Sequence, residues 1–205
     1  EVGRHSGDGS WAIAARVANA AGDVDLGTGI ALGAEGPETR RSVRVNHAPA
    51  RSTEALLEHL RVLWLTPAMD GLFTGPAADR RRFLDRAVLA IDRTHGTRVN
   101  AFEKAMRGRN KLLSEPNPNA RWLDAIETEM AELGVAIAAA RREWASVIAA
   151  LIAAGENDSP FPWAEIALEG PLEHWLDGHS AAATEDLYRS DLEGERPSDA
   201  HAGRT

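Results

Sequence analysis

The chain has 205 residues, of which 43% are hydrophobic and 26% are charged, and it contains no cysteine. A chain of this length and composition can bury one substantial core, with room for a helical appendage. The lack of cysteine excludes disulfides and thiolate metal sites. No uninterrupted apolar run approaches the ~18 residues of a membrane span, and the first residues lack the basic-then-apolar pattern of a signal peptide. These features predict a cytoplasmic protein.

Charge is distributed unevenly along the chain. The formal net charge is −8, which by itself argues against a polyanion as ligand. Residues 80–111, however, hold ten arginines and lysines against three acidic residues, a formal +7, which leaves 13 basic and 28 acidic residues, or −15, for the remainder. Because electrostatic attraction at physiological salt decays over about 8 Å, a basic surface on an acidic protein can still hold DNA.

The first quarter of the chain predicts an antiparallel β meander. The segments 10–17 and 41–45 alternate between apolar and polar residues, the second strictly, and the segment 24–32 is glycine-rich but apolar. Turn residues at 22–23 and 35–37 separate these strands.

A helix and a strand are expected next. Ser52 can cap a helix that runs through Leu60, because hydroxyl and acidic residues occupy its first turn. Residues 62–65 form an apolar segment that reads as a strand, stopped by the Thr-Pro pair at 66–67 because proline lacks an N–H. The Gly-Pro pair at 75–76 marks a turn before the next helix.

Beyond residue 76 the apolar residues recur with a helical period, and three helices are predicted. The first has arginines beside its apolar stripe, and the second has a basic row beside its stripe. In the third, nine apolar residues recur at a mean spacing of about 3.6, which predicts one helix of about 45–50 Å that ends at Gly155. The stripes are Phe83, Leu84, Ala87, Val88 and Ile91; Val99, Phe102, Ala105, Met106 and Leu113; and Trp122, Ile126, Met130, Leu133, Ile137, Ala140, Trp144, Val147 and Leu151. A short strand at 164–168 and a helix at 181–192 complete the prediction.

The most specific pattern lies between residues 63 and 85. It reads Leu-Trp-Leu-Thr-Pro, then Gly-Pro, and then Arg-Arg-Arg-Phe-Leu-Asp near the start of a helix. The pair Phe-Pro at 161–162, the run 164–170 and the closing residues 199–205 extend it. In these features the sequence resembles the RecF family of bacterial recombination and repair ATPases, which is of the SMC-like ABC class. Ala68 departs from the family pattern, which usually has an acidic residue or glutamine at that position.

The resemblance implies an α+β fold: part of an ABC-type ATPase head, built as an antiparallel β meander, with an inserted helical lobe. Residues 1–75 would form a partial ATPase lobe, residues 76–158 the helical lobe, and residues 159–205 a return strand and helix toward the C-terminal ATPase part. The family's phosphate-binding glycine loop, ABC signature and Walker B strand have no counterpart in this sequence. We therefore expect an internal fragment that does not itself hydrolyse ATP.

The resemblance also implies a function. Full-length members of the family are weak ATPases that use ATP and Mg²⁺, form an ATP-dependent homodimer and bind single-stranded or gapped duplex DNA. With RecR and RecO they load RecA at single-strand gaps, in replication-fork maintenance and the SOS response. We expect these cofactors and partners for the full-length protein, and no membrane association.

The basic residues of the first two helices are the candidate DNA contacts. A guanidinium offers a planar fork to phosphate oxygens, and a helix start adds N–H groups and a favourable dipole. The alternative is that these charges only solvate a helix surface, with one arginine paired to Asp79 or Asp85. The candidates that the resemblance suggests are Arg80, Arg81, Arg82, Arg86, Lys104, Arg107 and Lys111.

Other patterns indicate structure rather than chemistry. The glycine-rich run 27–33 lacks both the dinucleotide-binding spacing and a P-loop lysine, and is predicted to be a strand or hairpin. The seven histidines are scattered, and His174 and His179 are too far apart to share a helical face, so ordinary surface histidines are expected. Trp122 and Trp144 fall on the apolar stripe of the long helix and are expected in the core.

Two rival functions remain open. One is a helical protein-interaction module whose long helix docks a partner without binding DNA. The other is a self-contained hydrolase, for which the sequence offers no convergent triad or metal set.

Overall fold

The computed structural model describes residues 7–19, 22–33, 36–37, 40–62, 64, 66–155 and 164–202. Contacts divide the chain into two compact units, residues 1–64 and residues 65–205. The first unit is an antiparallel β unit and the second is helical, so the predicted α+β class is confirmed.

The β unit contains, within the described residues, six strands followed by a 3₁₀ turn. These are β1 Trp11–Asn19, β2 Gly22–Ile30, β3 Leu32–Gly33, β4 Gly36–Pro37, β5 Ser42–Val45, β6 Ala48–Pro49 and the 3₁₀ turn Thr53–Glu58. The main sheet has the order β1-β2-β5-β6, and β3 and β4 form a separate two-stranded ribbon. All pairs are antiparallel, which confirms the predicted meander.

One face of this sheet is buried, and buried and exposed side chains alternate along its strands. In β2 the side chains of Val24 and Leu26 are buried, and in β5 the side chain of Val43 is buried while its neighbours are exposed. Successive residues of a strand point to opposite faces, so this pattern places the three apolar residues on one side of the sheet. The strict alternation at 41–45 therefore predicted the buried residue correctly.

Two local predictions in this region need correction. The helix expected from Ser52 through Leu60 is present only as the shorter 3₁₀ turn Thr53–Glu58, and the Ser52 side chain makes no capping hydrogen bond. Val62 and Trp64 are not in a strand. A strand needs a ladder partner, and the last strand of the main sheet in the described chain is Ala48–Pro49. Leu63 and Leu65 lie outside the described residues.

The helical unit opens with the 3₁₀ turn Pro67–Met69 and, within the described residues, continues with five α-helices. They are α1 Ala77–Val88, α2 His95–Leu113, α3 Ala120–Ala154, α4 Pro171–Gly178 and α5 Ala181–Ala202. The 35 residues of α3 span about 52 Å, so the prediction of one long helix is confirmed. α2, α4 and α5 pack along α3, and α1 contacts both α2 and α3.

The core of this unit lies between α2, α3 and α5. Ala105, Met130 and Leu192 are buried there against partly buried side chains that include Phe102 and Tyr188. Glycine at position 134 of α3 allows the close approach. A Cβ at Gly134 would lie 2.9 Å from Cε1 of Tyr188 and 3.3 Å from Cε2 of Phe102.

The buried face of α3 includes Met130, Ile137 and Ala140 of the predicted stripe, but in the first turns of the helix it is rotated from the prediction. Trp122, expected in the core, is 65% exposed, while Leu123 beside it is buried. The buried line runs through Leu123, Glu127, Met130 and Gly134. Because two of these positions are not apolar, a search for apolar residues alone selected a stripe about one residue away.

The last part of the chain also differs from its prediction. Residues 164–168 do not form a strand, and α4 follows, beginning at Pro171 in the first-turn position that suits proline. The final helix was expected to end at Leu192 but continues to Ala202, past Pro197. None of the described helices combines the length and apolar composition that a membrane span requires.

Candidate nucleic-acid interface

The loop before α1 is folded into a compact turn. After the 3₁₀ turn Pro67–Met69, the N–H of Gly75 donates to the carbonyl oxygen of Gly71 at 2.7 Å. A Cβ at Gly75 would lie 2.9 Å from that same oxygen, so the close approach requires glycine. Pro76 ends the turn directly before α1, which the Gly-Pro pair predicted.

The three consecutive arginines have three different environments. Arg80 is partly buried, and its Nη1 donates to the carbonyl oxygen of Gly75 at 2.7 Å, which ties the turn to the helix. Arg82 is exposed and pairs with Asp79, one turn earlier. Arg81 is exposed and, among the described residues, takes part in no hydrogen bond or ion pair. Arg81 is therefore the most available of the three for an external anion.

A cavity of ≈ 670 Å³ lies between the turn and α1. Apolar and glycine positions of the turn form part of its wall, and charged residues of α1 form the rest. The lining residues are Met69, Gly71, Leu72, Gly75, Pro76, Asp79, Arg82 and Arg86. Two of the candidate arginines, four residues apart on one helix, thus line the same cavity.

The basic row of α2 is exposed as a group. Lys104, Arg107 and Lys111 are spaced by three and four residues, so they lie on one side of the helix over about 10 Å. Arg107 approaches Glu103 Oε2 at 3.5 Å, an exposed pair of the kind that contributes little to stability. Lys104 and Lys111 make no ion pair with the residues that the structure describes.

Some basic residues of the stretch 80–111 are buried or paired with a carboxylate. Arg109 is fully buried, and Arg98 pairs with Asp92. The ten basic residues counted from the sequence therefore overstate the number of exposed positive charges on this surface.

Asp85, which ends the Arg-Arg-Arg-Phe-Leu-Asp motif, joins three helices. Its Oδ1 and Oδ2 accept from Nε and Nη2 of Arg141 on α3, at 2.9 and 3.0 Å. Nε2 of His95, the first residue of α2, lies 2.8 Å from Oδ1. Burial alone would raise the pKa of the Asp85 carboxyl, but the hydrogen bonds from His95 and Arg141 and the charge of Arg141 hold that pKa below its ordinary value of 3.8.

His95 corrects an expectation. It was predicted as an ordinary surface histidine, but its side chain is fully excluded from solvent. Its Nδ1 has no hydrogen-bond partner in the described part of the chain, so Nε2 carries the proton that is donated to Asp85. A histidine at a helix start gives no sequence signal for burial, because only the tertiary fold brings the carboxylate to it.

Arg109 is the centre of a second charge network. Its Nε donates to Glu127 Oε1 at 2.8 Å, its Nη1 to Asp199 Oδ2 at 2.7 Å and its Nη2 to the carbonyl oxygen of Leu192 at 2.6 Å. Arg196 also donates to both carboxylate oxygens of Glu127. This network links α2 and α3 to the C-terminal half of α5, through residues on both sides of Pro197.

A sequence signal for this network existed but was missed. Arg109 falls between Ala105 and Leu113 on the apolar side of α2, and Glu127 falls between Leu123 and Met130 on the apolar side of α3. Two opposite charges on two apolar stripes predict a buried pair, since an unpaired charge there would be too costly.

The remaining sequence patterns occupy ordinary structural positions in the described part of the chain. The glycine-rich run 27–33 lies in β2 and β3, apart from the residue between them, which confirms the strand prediction. Asp70, the first carboxylate after Ala68, is exposed. Among the residues that the structure describes, no three histidines or carboxylates are grouped to hold a metal ion.

Comparisons with known proteins show which proteins this chain resembles. No protein-family profile matches the chain. DNA replication and repair protein RecF of Mesorhizobium japonicum is 55% identical over 205 residues, all of this chain and 54% of that protein. The RecF protein of Allorhizobium ampelinum is 49% identical over 208 residues, again all of this chain and 54% of the relative.

Two solved structures of RecF share the fold. One, described as RecF-ATP in the RecFOR pathway, superposes with a TM-score of 0.70 over 96% of this chain and 52% of its own, at 16% identity. Another, RecF-ATPrS, superposes with a TM-score of 0.67 over 89% of this chain and 48% of its own. These matches confirm the resemblance to RecF that the motifs of residues 63–85 indicated. The chain is therefore similar to RecF over its whole length, and it spans about half the length of the curated relatives that it matches.

Proposed function

We propose that this chain supplies the DNA-binding helices of a RecF-type protein of DNA repair and replication, and that the surface formed by α1 and α2 binds backbone phosphates. The observation that carries the proposal is Arg81, which is exposed and unpaired among the described residues, on a helix whose Arg82 and Arg86 line an adjacent cavity. The exposed lysines 104 and 111 of α2 extend the cationic surface. Phosphate contacts of this kind supply affinity without sequence readout.

The proposal extends to the longer protein. Its relatives carry the name DNA replication and repair protein, and the structural neighbours are described with ATP or ATPrS in the RecFOR pathway. By analogy, it would bind ATP with Mg²⁺ and dimerise with ATP, engage gapped or single-stranded DNA, and act in the cytoplasm with RecR and RecO to load RecA in the SOS response. Residues 1–75 would then contribute to the ATPase lobe and residues 76–158 to the helical lobe, with residues 159–205 leading toward the rest of the ATPase. This chain alone would not hydrolyse ATP.

The test is charge reversal of Arg81 and Arg82 in the intact protein, with DNA affinity measured as a function of salt. The Arg81→Glu/Arg82→Glu variant should bind more weakly, and the slope of log K against log salt should become shallower by about 1 for each phosphate that the variant no longer binds. Arg189→Glu on α5, which reverses another exposed arginine, is the matched control. An unchanged slope in the double variant would remove the basis for a DNA surface on α1.

A partner-docking role is the second candidate, and the C-terminal third of α3 favours it. Val147 and Leu151 belong to the apolar stripe predicted from the sequence, yet their side chains are 42% and 63% exposed. Leu151→Glu should leave DNA affinity unchanged and weaken binding to RecR or RecO, measured by calorimetry. If neither partner binding changes, this stripe does not dock them.

A further inference from the structure

Arg81 owes its availability to residues far away in the sequence. On an α-helix, residues three and four apart are neighbours, and acid–base pairs at these spacings form readily. Asp85 follows Arg81 by four residues and Arg82 by three, so it is the natural intrahelical partner of both. The structure shows a different pairing, because Asp85 is bound by Arg141 and His95 instead.

The pairing with Arg141 is the stronger alternative. Two parallel hydrogen bonds at 2.9 and 3.0 Å use both carboxylate oxygens, the bidentate geometry in which arginine binds carboxylate best. The side chains of Asp85 and Arg141 are 16% and 17% exposed, so solvent screens the pair less than it would an intrahelical pair at the surface. His95, fully buried, adds a third hydrogen bond.

We propose that Arg141 is a positioning residue for DNA binding: by sequestering Asp85 it keeps the Arg81 guanidinium free for a phosphate. This inference rests on the proposed function of the α1 surface and adds a residue to it. Without Arg141 the Asp85 carboxylate would turn to Arg81, one helical turn away, and would both occupy that guanidinium and repel an approaching phosphate. Because the pKa of Asp85 lies below its ordinary value of 3.8, the carboxylate is negatively charged throughout the neutral range and attracts a neighbouring guanidinium at every working pH.

The test compares three variants of the intact protein in DNA-binding titrations at several salt concentrations. Arg141→Met should weaken binding about tenfold, which is the contribution of one charge-assisted hydrogen bond, and make the salt slope shallower by about 1. Arg141→Met/Asp85→Asn removes the carboxylate as well, and should recover the wild-type slope and most of the affinity. Arg141→Met in an Arg81→Gln background should have no further effect on the slope.

The design separates positioning from folding. Glu127→Gln breaks the unrelated Arg109 network and should lower stability without changing the salt slope, which makes it the control for destabilisation. If the double variant binds as weakly as Arg141→Met, then Arg141 acts only on structure and the inference is wrong. If Arg81→Gln itself leaves the salt slope unchanged, the α1 surface does not bind DNA, and the proposed function is refuted together with this inference. If Arg81→Gln makes the slope shallower and Arg141→Met does not, the DNA surface stands and the role of Arg141 is overturned.

Discussion

Arg109 and Glu127 form an ion pair with 2.8 Å between Nε and Oε1, and both side chains are excluded from solvent. The pair joins the second and third helices at the centre of the helical unit. Two buried charges are tolerated there because each is fully hydrogen-bonded, Arg109 by three acceptors and Glu127 by a second arginine, Arg196. Removing either partner would take from the other buried charge one of its main partners, and would leave only Asp199 as the ion-pair partner of Arg109 or Arg196 as that of Glu127.

Glu127→Gln should therefore destabilise the helical unit by about 3–5 kcal/mol, because Arg109 and Arg196 lose their shared carboxylate. Urea unfolding followed by helical circular dichroism measures the change. Glu129→Gln, an exposed position of the same helix, is the matched control and should stay within about 0.5 kcal/mol of wild type. Equal effects of the two substitutions would show that the network does not hold the helices together.

Two glycines of the helical unit should respond to alanine with opposite sign. Gly194 in α5 has open space where a Cβ would lie, so Gly194→Ala should stabilise by roughly 0.5–1 kcal/mol through helix propensity. Gly134 in α3 faces Tyr188 at 2.9 Å from its would-be Cβ, so Gly134→Ala should destabilise by about 1–3 kcal/mol through overpacking. The same urea titration measures both, and stabilisation by Gly134→Ala would contradict the close approach of α3 and α5.

Tyr188 provides a spectroscopic test of the core. It is the one tyrosine in the sequence, so tyrosinate absorbance reports it alone. Burial raises the pKa of its phenol from 10.0 to about 12, and the carboxylates of Asp191 and Asp199 add to the shift while the charge of Arg109 opposes it. Because the folded pKa is the higher one, the contribution to stability is complete below pH 10.0 and is lost as the pH rises toward about 12.

An ultraviolet titration of the folded protein should accordingly show a transition well above pH 10.0, with circular dichroism recorded on the same samples to establish that the fold persists. In urea the transition should return to the ordinary value, and Tyr188→Phe should abolish it. A folded protein that titrates at the ordinary value has a solvent-exposed phenol, contrary to the packing described above.

The basic row of α2 makes a separate prediction about DNA. Lys104→Ala and Lys111→Ala should each weaken binding similarly for all sequences, and each should make the salt slope shallower by about 1, since each removes one phosphate contact. Salt-dependent fluorescence anisotropy with a gapped duplex measures this. Arg189→Ala on α5 should leave the slope as it is, and a lysine variant that behaves like Arg189→Ala does not contact DNA.

Local patterns predicted the elements whose residues alternate or repeat. Val43 was placed in a strand by strict alternation, and the 35-residue helix α3 followed from its period, because both signals depend only on neighbours in the chain. The prediction of a strand at 164–168 was wrong because strand formation depends on a partner elsewhere in the chain. Its apolar residues fit a strand, but no strand of the described chain pairs with them.

For the candidate DNA surface, too, some features follow from the sequence and others only from the tertiary structure. The sequence alone indicated the resemblance to RecF and the set of basic residues on two helices, since motif and composition are properties of the chain itself. Which of those charges face solvent was decided by tertiary structure: Arg109 is neutralised in the core by Glu127, and Arg81 stays unpaired because Arg141 binds Asp85. Electrostatic energy depends on distance and burial, and residues 56 positions apart, such as Asp85 and Arg141, become neighbours only when the helices pack.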